Sequence, residues 1–132
     1  MAVSNIKVTF PCDIHIVWKV ITDVAHSTWR SDVSRTEILN ERQFVEYTKE
    51  GYATTFTTTV LEPFRQWEFE MENSNMKGHW TGVFKEKDGQ TEIEFTEDVT
   101  AKKFWMRPFV RGFLKKQQKR YISDLRKALS DQ

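Results

Sequence analysis

The chain is expected to be α+β, with a curved antiparallel sheet of about seven strands wrapped around one long C-terminal α-helix. Three observations predict this. Strand-type alternation recurs at hairpin spacing from Thr36 to Thr100, an apolar stripe at helical spacing runs from Phe109 to Leu129, and one strand followed by one helix opens the chain. A meander closed by a single amphipathic helix gives a two-layer α+β arrangement.

At the start, Ile6, Val8 and Phe10 alternate with Lys7 and Thr9, the period of a half-buried strand. Pro11 ends it. Asp13 is placed to cap a helix whose Ile14, Val17, Trp18 and Ile21 share one face. A second short helix or helical turn is expected from Ser27 to Val33. Six further strands follow at Thr36–Leu39, Gln43–Lys49, Ala53–Glu62, Gln66–Glu72, Gly78–Lys85 and Thr91–Thr100. Asn40-Glu41, Glu50-Gly51, Pro63-Phe64, Asn73-Ser74-Asn75 and Asp88-Gly89 supply the turns. Trp67, Phe69 and Met71 against Glu68, Glu70 and Glu72 give the sharpest split into an apolar and a wet face. In the last segment Phe109, Val110, Phe113, Leu114, Gln117, Tyr121, Leu125 and Leu129 form the stripe, and Pro108 suits a first helical turn. Phe104 to Arg107 is then an approach loop or separate turn.

With 132 residues the chain has room for one domain, 1–132, and one core. Its 18 aromatic residues make that core bulky, and rings of this size can either fill a core or wall a hollow. The lone Cys12 permits no intrachain disulfide and reads as a structural thiol. No signal-like N-terminus or membrane-length apolar run is present, so a soluble, cytoplasmic protein is expected. The net charge of +1 hides an asymmetry. Lys102 to Lys127 holds ten Lys/Arg and one acid, Asp124, which leaves the rest of the chain at −8. That basic segment is a solvated helix face with Lys stems over apolar surface, or a contact for anionic lipid headgroups, since Phe104, Trp105 and Met106 lie among Lys102, Lys103, Arg107 and Arg111. Nucleic acid is not expected as a partner, because no reading motif accompanies the charge.

The order strand, short helices, six-stranded meander and long terminal helix resembles the START-like helix-grip superfamily (SRPBCC), which includes polyketide cyclases/dehydrases, lipid-transfer START domains and the birch-pollen allergen class. The stretches that carry the resemblance are Ile6-Lys7-Val8-Thr9-Phe10-Pro11-Cys12, Val17-Trp18-Lys19-Val20-Ile21-Thr22-Asp23-Val24, Trp29 ahead of Val33, Gly89-Gln90-Thr91 and Leu125-Arg126-Lys127-Ala128-Leu129. None of them is a catalytic signature. The resemblance covers nearly the whole chain and implies a ligand cavity between sheet and terminal helix.

On the strand phases given above, the inward set is Ile6, Val8, Phe56, Val60, Trp67, Phe69, Met71, Trp80, Phe84, Ile93, Phe95 and Val99, with Phe109, Phe113, Leu114, Gln117 and Tyr121 from the helix. These residues would line a mostly apolar pocket or close into a solid core. Glu97 shares the phase of Ile93, Phe95 and Val99, so its carboxyl belongs to the apolar face, where it must be paired or carry a raised pKa. That makes Glu97 the candidate general acid or base. His79 points outward on the simple phase and would enter the pocket only through a bulge near Gly78 or Gly82. Thr54 and Thr58 could offer hydroxyls, and Arg30 and Tyr121 are further polar candidates. The three histidines have no metal-ligating spacing, and no phosphate loop, dinucleotide fingerprint or Gly-x-Ser-x-Gly elbow is present, so no metal or cofactor is expected.

Three functions are compatible with this reading: binding of a small hydrophobic ligand such as a lipid, polyketide or aromatic metabolite; a cyclase/dehydratase-type enzyme using Glu97 and His79; and a co-chaperone or other partner-binding module. The residues weigh toward binding rather than catalysis.

Overall fold

The computed structural model describes residues 2–131. Ala2–Phe10 (β1) leads into Ile14–Thr22 (α1), and then come Arg35–Ile38 (β2), Gln43–Tyr47 (β3), Ala53–Glu62 (β4), Gln66–Glu72 (β5), Met76–Lys87 (β6) and Gln90–Ala101 (β7). A 3-10 turn at Phe104–Met106 precedes Arg107–Ser130 (α2). All seven strands belong to one antiparallel sheet in the order β1-β7-β6-β5-β4-β3-β2. With the long α2 this is the helix-grip α+β fold.

Local chemistry explains the boundaries. Asp13 caps α1, accepting a bond from the backbone N–H of His15 at 2.7 Å. Asp88 and Gly89 both have positive φ, which suits the tight turn that joins β6 to β7. Segment 27–33 forms turns rather than a second helix: the Arg30 N–H donates to the Ser27 carbonyl, but the pattern does not propagate. Pro108 lies in the first turn of α2, which at 24 residues is about 36 Å long and spans the sheet.

Register puts one set of side chains on the inner face. Ser4 pairs with Glu97, Ile6 with Phe95, Trp80 with Glu97, Phe69 with Trp80, Phe56 with Met71 and Phe44 with Phe56. Directly opposed residues share a face, so these form one continuous inner surface. One expected member is absent. A bulge between Thr58 and Val60 inserts Thr59 and pairs Val60 with Glu68, turning Val60 to the outer face.

The core is contiguous. Phe10, Val17, Ile93 and Leu125 are fully buried, and an aromatic chain runs through it, with Phe69 stacked on Trp80 at 4.6 Å and Phe44 on Phe56 at 4.8 Å. The buried stripe of α2 is Val110, Leu114, Gln118, Ile122, Leu125 and Leu129. It is rotated from the expected one, so Gln118 rather than Gln117 is the buried amide. Ser4 Oγ donates to Gln118 Oε1 at 2.7 Å, and Gln118 Nε2 donates back to the Ser4 carbonyl at 3.1 Å. The pair satisfies both buried groups and fixes the helix against β1.

Candidate functional site

Between the inner face and α2 lies a cavity of about 690 Å³. The aromatic residues therefore do not pack the layer solid. Phe44, Phe56, Trp67, Phe69, Trp80 and Phe95 line it from the sheet and Val110, Leu114 and Tyr121 from the helix. Its exposed lining residues, Glu50, Tyr52, Glu72, Phe109 and Phe113, mark the mouth.

Glycine makes the close packing of this wall geometrically feasible at one point. A Cβ on Gly82 would lie 2.4 Å from the Trp80 ring and 3.3 Å from Phe95, so the bare backbone there is what lets the indole lie flat.

Away from the mouth, charged groups cluster around Arg30. Arg30 enters from the turns at 27–33, and Nε and Nη2 donate to the two Asp32 carboxylate oxygens at 2.9 Å each. Nη1 reaches Glu46 Oε2 at 3.4 Å, and the guanidinium lies over the Tyr121 ring, 4.8 Å from its centroid. The turn that carries Arg30 is tied to α2 in turn: Ser31 N–H and Oγ donate to Asp124, and Arg120 donates to Ser31 Oγ and to its carbonyl.

One cation between two acids divides their titration. Burial works against the Arg30 charge, but Glu46 and Asp32 outweigh it and hold the guanidinium above its ordinary range. Burial likewise opposes the Asp32 charge and is overcome by the two-pronged Arg30 bond, which leaves Asp32 below the usual carboxylate value. Glu46, with the longer contact, is pushed up by burial, only partly offset by Arg30. Tyr121 is raised by burial and stays a neutral hydroxyl.

Glu97 lies between Ser4 and Trp80 on the inner face, with no hydrogen-bond or ion-pair partner among the described residues. Burial raises its pKa to about 7, only partly offset by the charge of Arg30. Near neutrality its carboxyl is poised between donor and acceptor inside an apolar chamber.

Of the ligand-site residues expected from sequence, Arg30, Phe56, Trp67, Phe69, Met71, Trp80, Phe95, Glu97, Phe109, Phe113, Gln117 and Tyr121 line the cavity. Three do not. Thr58 is buried behind the wall, where it accepts from the Trp67 indole Nε1 at 3.1 Å. Phe84 packs edge-on against Trp18 at 4.8 Å in the core under α1. His79 is on the outer face, because β6 pairs regularly through Gly78 and Gly82 and no bulge turns it inward. There Nε2 meets Glu68 at 2.7 Å and Nδ1 meets Glu70 at 2.8 Å. Burial alone would lower its pKa; the two carboxylates raise it. His79 cannot reach the chamber that Glu97 faces.

Sequence reasoning missed Phe44, Glu46, Asp32 and Gln118. Glu46 carries the same signal that exposed Glu97, an acid in the phase of an apolar residue, here Phe44. Asp32 lies in an irregular turn, where no periodicity could reveal it. Among the described residues no group of three or more His, Cys, Asp or Glu could hold a metal ion, and no helix is long and apolar enough to cross a membrane.

No curated protein matches the chain in sequence. Its fold is shared by solved structures. A START superfamily protein from Mycobacterium smegmatis superposes with a TM-score of 0.84 at 15% identity, covering 99% of each chain. A conserved protein from Geobacillus kaustophilus gives 0.85 at 12%, covering 98% of this chain and 95% of the other. The di-domain ARO/CYC BexL from the BE-7585A biosynthetic pathway gives 0.82 at 9%; the match covers 98% of this chain and 47% of BexL, so this chain corresponds to about half of it. At the sequence level, residues 1–130 match the model of the family described as polyketide cyclase / dehydrase and lipid transport. The chain belongs to that polyketide cyclase/dehydrase and lipid-transport family and has its START-type fold.

Proposed function

We propose that the protein binds a small hydrophobic ligand, a lipid, polyketide or aromatic metabolite, in the chamber between sheet and α2. The observation that carries this reading is the cavity of about 690 Å³ walled by aromatic rings, with Arg30, Glu46, Glu97 and Tyr121 as polar groups in its lining. That is the usual constitution of a small-molecule site, where apolar area supplies affinity and a few polar atoms supply orientation. The Tyr121 hydroxyl and, below about pH 7, the Glu97 carboxyl are donors into the chamber. They favour a ligand with an apolar body and a carbonyl or hydroxyl oxygen at its inner end. Native mass spectrometry of protein purified from its host tests this directly. A copurifying apolar molecule, displaceable by a fluorescent lipophilic probe, is expected. Protein that arrives empty and binds no such probe would overturn the reading.

One observation favours a second reading. A carboxyl with a pKa of about 7, unpaired and facing an apolar chamber, is matched to proton transfer at neutral pH. In a cyclase/dehydratase-type enzyme Glu97 would move the proton, with Tyr121 holding the substrate oxygen. Glu97→Gln separates the two readings: binding retained with turnover lost supports the enzyme, whereas no turnover by wild-type protein across a broad panel of polyketide-like substrates supports the binding module.

A further inference from the structure

The N-terminal part of α2 and the turn before it expose more aromatic surface than the chamber needs. Phe104 is 77% exposed, Trp105 60%, Phe109 72% and Phe113 45%. Large rings bared together on a folded protein mark a contact surface. Phe109 and Phe113 are one helical step apart and also form the chamber mouth, so patch and mouth are continuous.

The charged residues next to these rings along the chain are basic. Lys103 and Arg107 lie beside Phe104 and Trp105, and Lys116 follows on the Phe109–Phe113 face. All three are exposed and make no ion pair among the described residues. Lys102 is bound to Glu72 at 2.7 Å, which neutralises one acid of the mouth and leaves Glu50 as its other exposed carboxylate. No acid occupies the first turn of α2, so the positive end of the helix adds to the same field. Rings flanked by cations match an anionic lipid surface, with rings at the depth of the headgroups and Lys and Arg beside the phosphates. A second copy fits poorly, because pairing this patch with itself would oppose cation to cation.

We propose that this aromatic and basic patch docks on anionic lipid, with the chamber mouth turned toward the bilayer. The docking does not depend on which ligand the chamber holds, and the test uses protein with no ligand added. Cosedimentation is measured with vesicles of phosphatidylcholine alone and of phosphatidylcholine with phosphatidylglycerol. Wild type is expected on the anionic vesicles and not on the zwitterionic ones. A basic residue near such a surface contributes about fivefold to partitioning, so Lys103, Arg107 and Lys116 all changed to Gln should lower binding about a hundredfold. Phe104, Trp105 and Phe109 all changed to Ala should lower it by about tenfold or more, with an unchanged thermal midpoint showing that the fold is intact. Absence of wild-type binding to anionic vesicles overturns the proposal. So does binding that ignores the aromatic changes, which would be diffuse charge attraction without insertion. A dimer in light scattering that the aromatic changes dissolve would also overturn it, since a second copy would then cover the patch.

Discussion

Replacing Glu97 by Gln removes an ionisable group from the apolar face while keeping its shape. Its folded-state pKa of about 7 against an ordinary 4.5 corresponds to about 3 kcal/mol, at about 1.36 kcal/mol per pK unit. This is a ceiling, because the chamber mouth admits water that screens the charge. The sign follows from proton binding. Below pH 4.5 both the folded and unfolded states hold the proton, and Glu97 imposes no cost. Between 4.5 and about 7 the unfolded chain ionises first, so stability falls as pH rises, and above about 7 the full cost is in force. Wild type and Glu97→Gln should therefore match in acid and diverge toward alkaline pH. At about 3 °C per kcal/mol for a chain of this size, the Gln variant should melt as much as about 9 °C higher at pH 8.5. Thermal unfolding across a pH series is the assay. Parallel melting curves for the two proteins from pH 4.5 to 8.5 would refute the argument that burial, rather than a hidden partner, sets this carboxyl.

Four further changes probe the wall and floor. Gly82→Ala puts a methyl group into the Trp80 ring, which is pinned by Phe69 and Phe95 and cannot swing aside; a loss of about 1–3 kcal/mol in urea unfolding is expected, with weaker binding of a lipophilic probe. Thr58→Val strips the Trp67 indole of its acceptor and should cost about 1–3 kcal/mol of stability while probe affinity, measured by titration, stays within about twofold, since Thr58 lies outside the chamber. Arg30→Gln leaves Asp32 and Glu46 without their shared cation and should destabilise by about 3 kcal/mol or more in the same assay, whereas Glu46→Gln, which spares the Arg30–Asp32 pair, should cost less.

What the residues announced in advance was whatever depended on period. The β5 alternation of Trp67, Phe69 and Met71 against three glutamates leaves one phase for the meander, and the Ile93–Val99 phase alone places Glu97 on the inner face. Period failed where a single residue was inserted: Thr59 flips every later side chain of β4, and no composition signal distinguishes it from its threonine neighbours. On α2 the apolar count suggested Gln117 as the inward amide, yet the buried one is Gln118, because Ser4 on a strand 114 positions away supplies both of its hydrogen bonds. The Arg30–Asp32–Glu46 cluster was invisible as a unit for a similar reason. It joins an irregular turn to a strand, and only the fold makes them neighbours. The chamber itself was undecidable from residue types, since the same rings could have interlocked.

The sheet order has a consequence for how the chain is made. β2 through β7 follow one another as hairpins, so each can pair as soon as its neighbour has been synthesised, whereas β1, made before all of them, pairs only with β7 and is further clasped by Gln118 of α2. Contacts between such remote positions form slowly. Until β7 has been synthesised β1 has nothing to zip against, and the hairpin array lacks one border. A nascent chain stalled before α2 still lacks Ile122, Leu125 and Leu129 of the core and should be prone to aggregation and easily cleaved by protease, with resistance arriving with α2 rather than building up strand by strand.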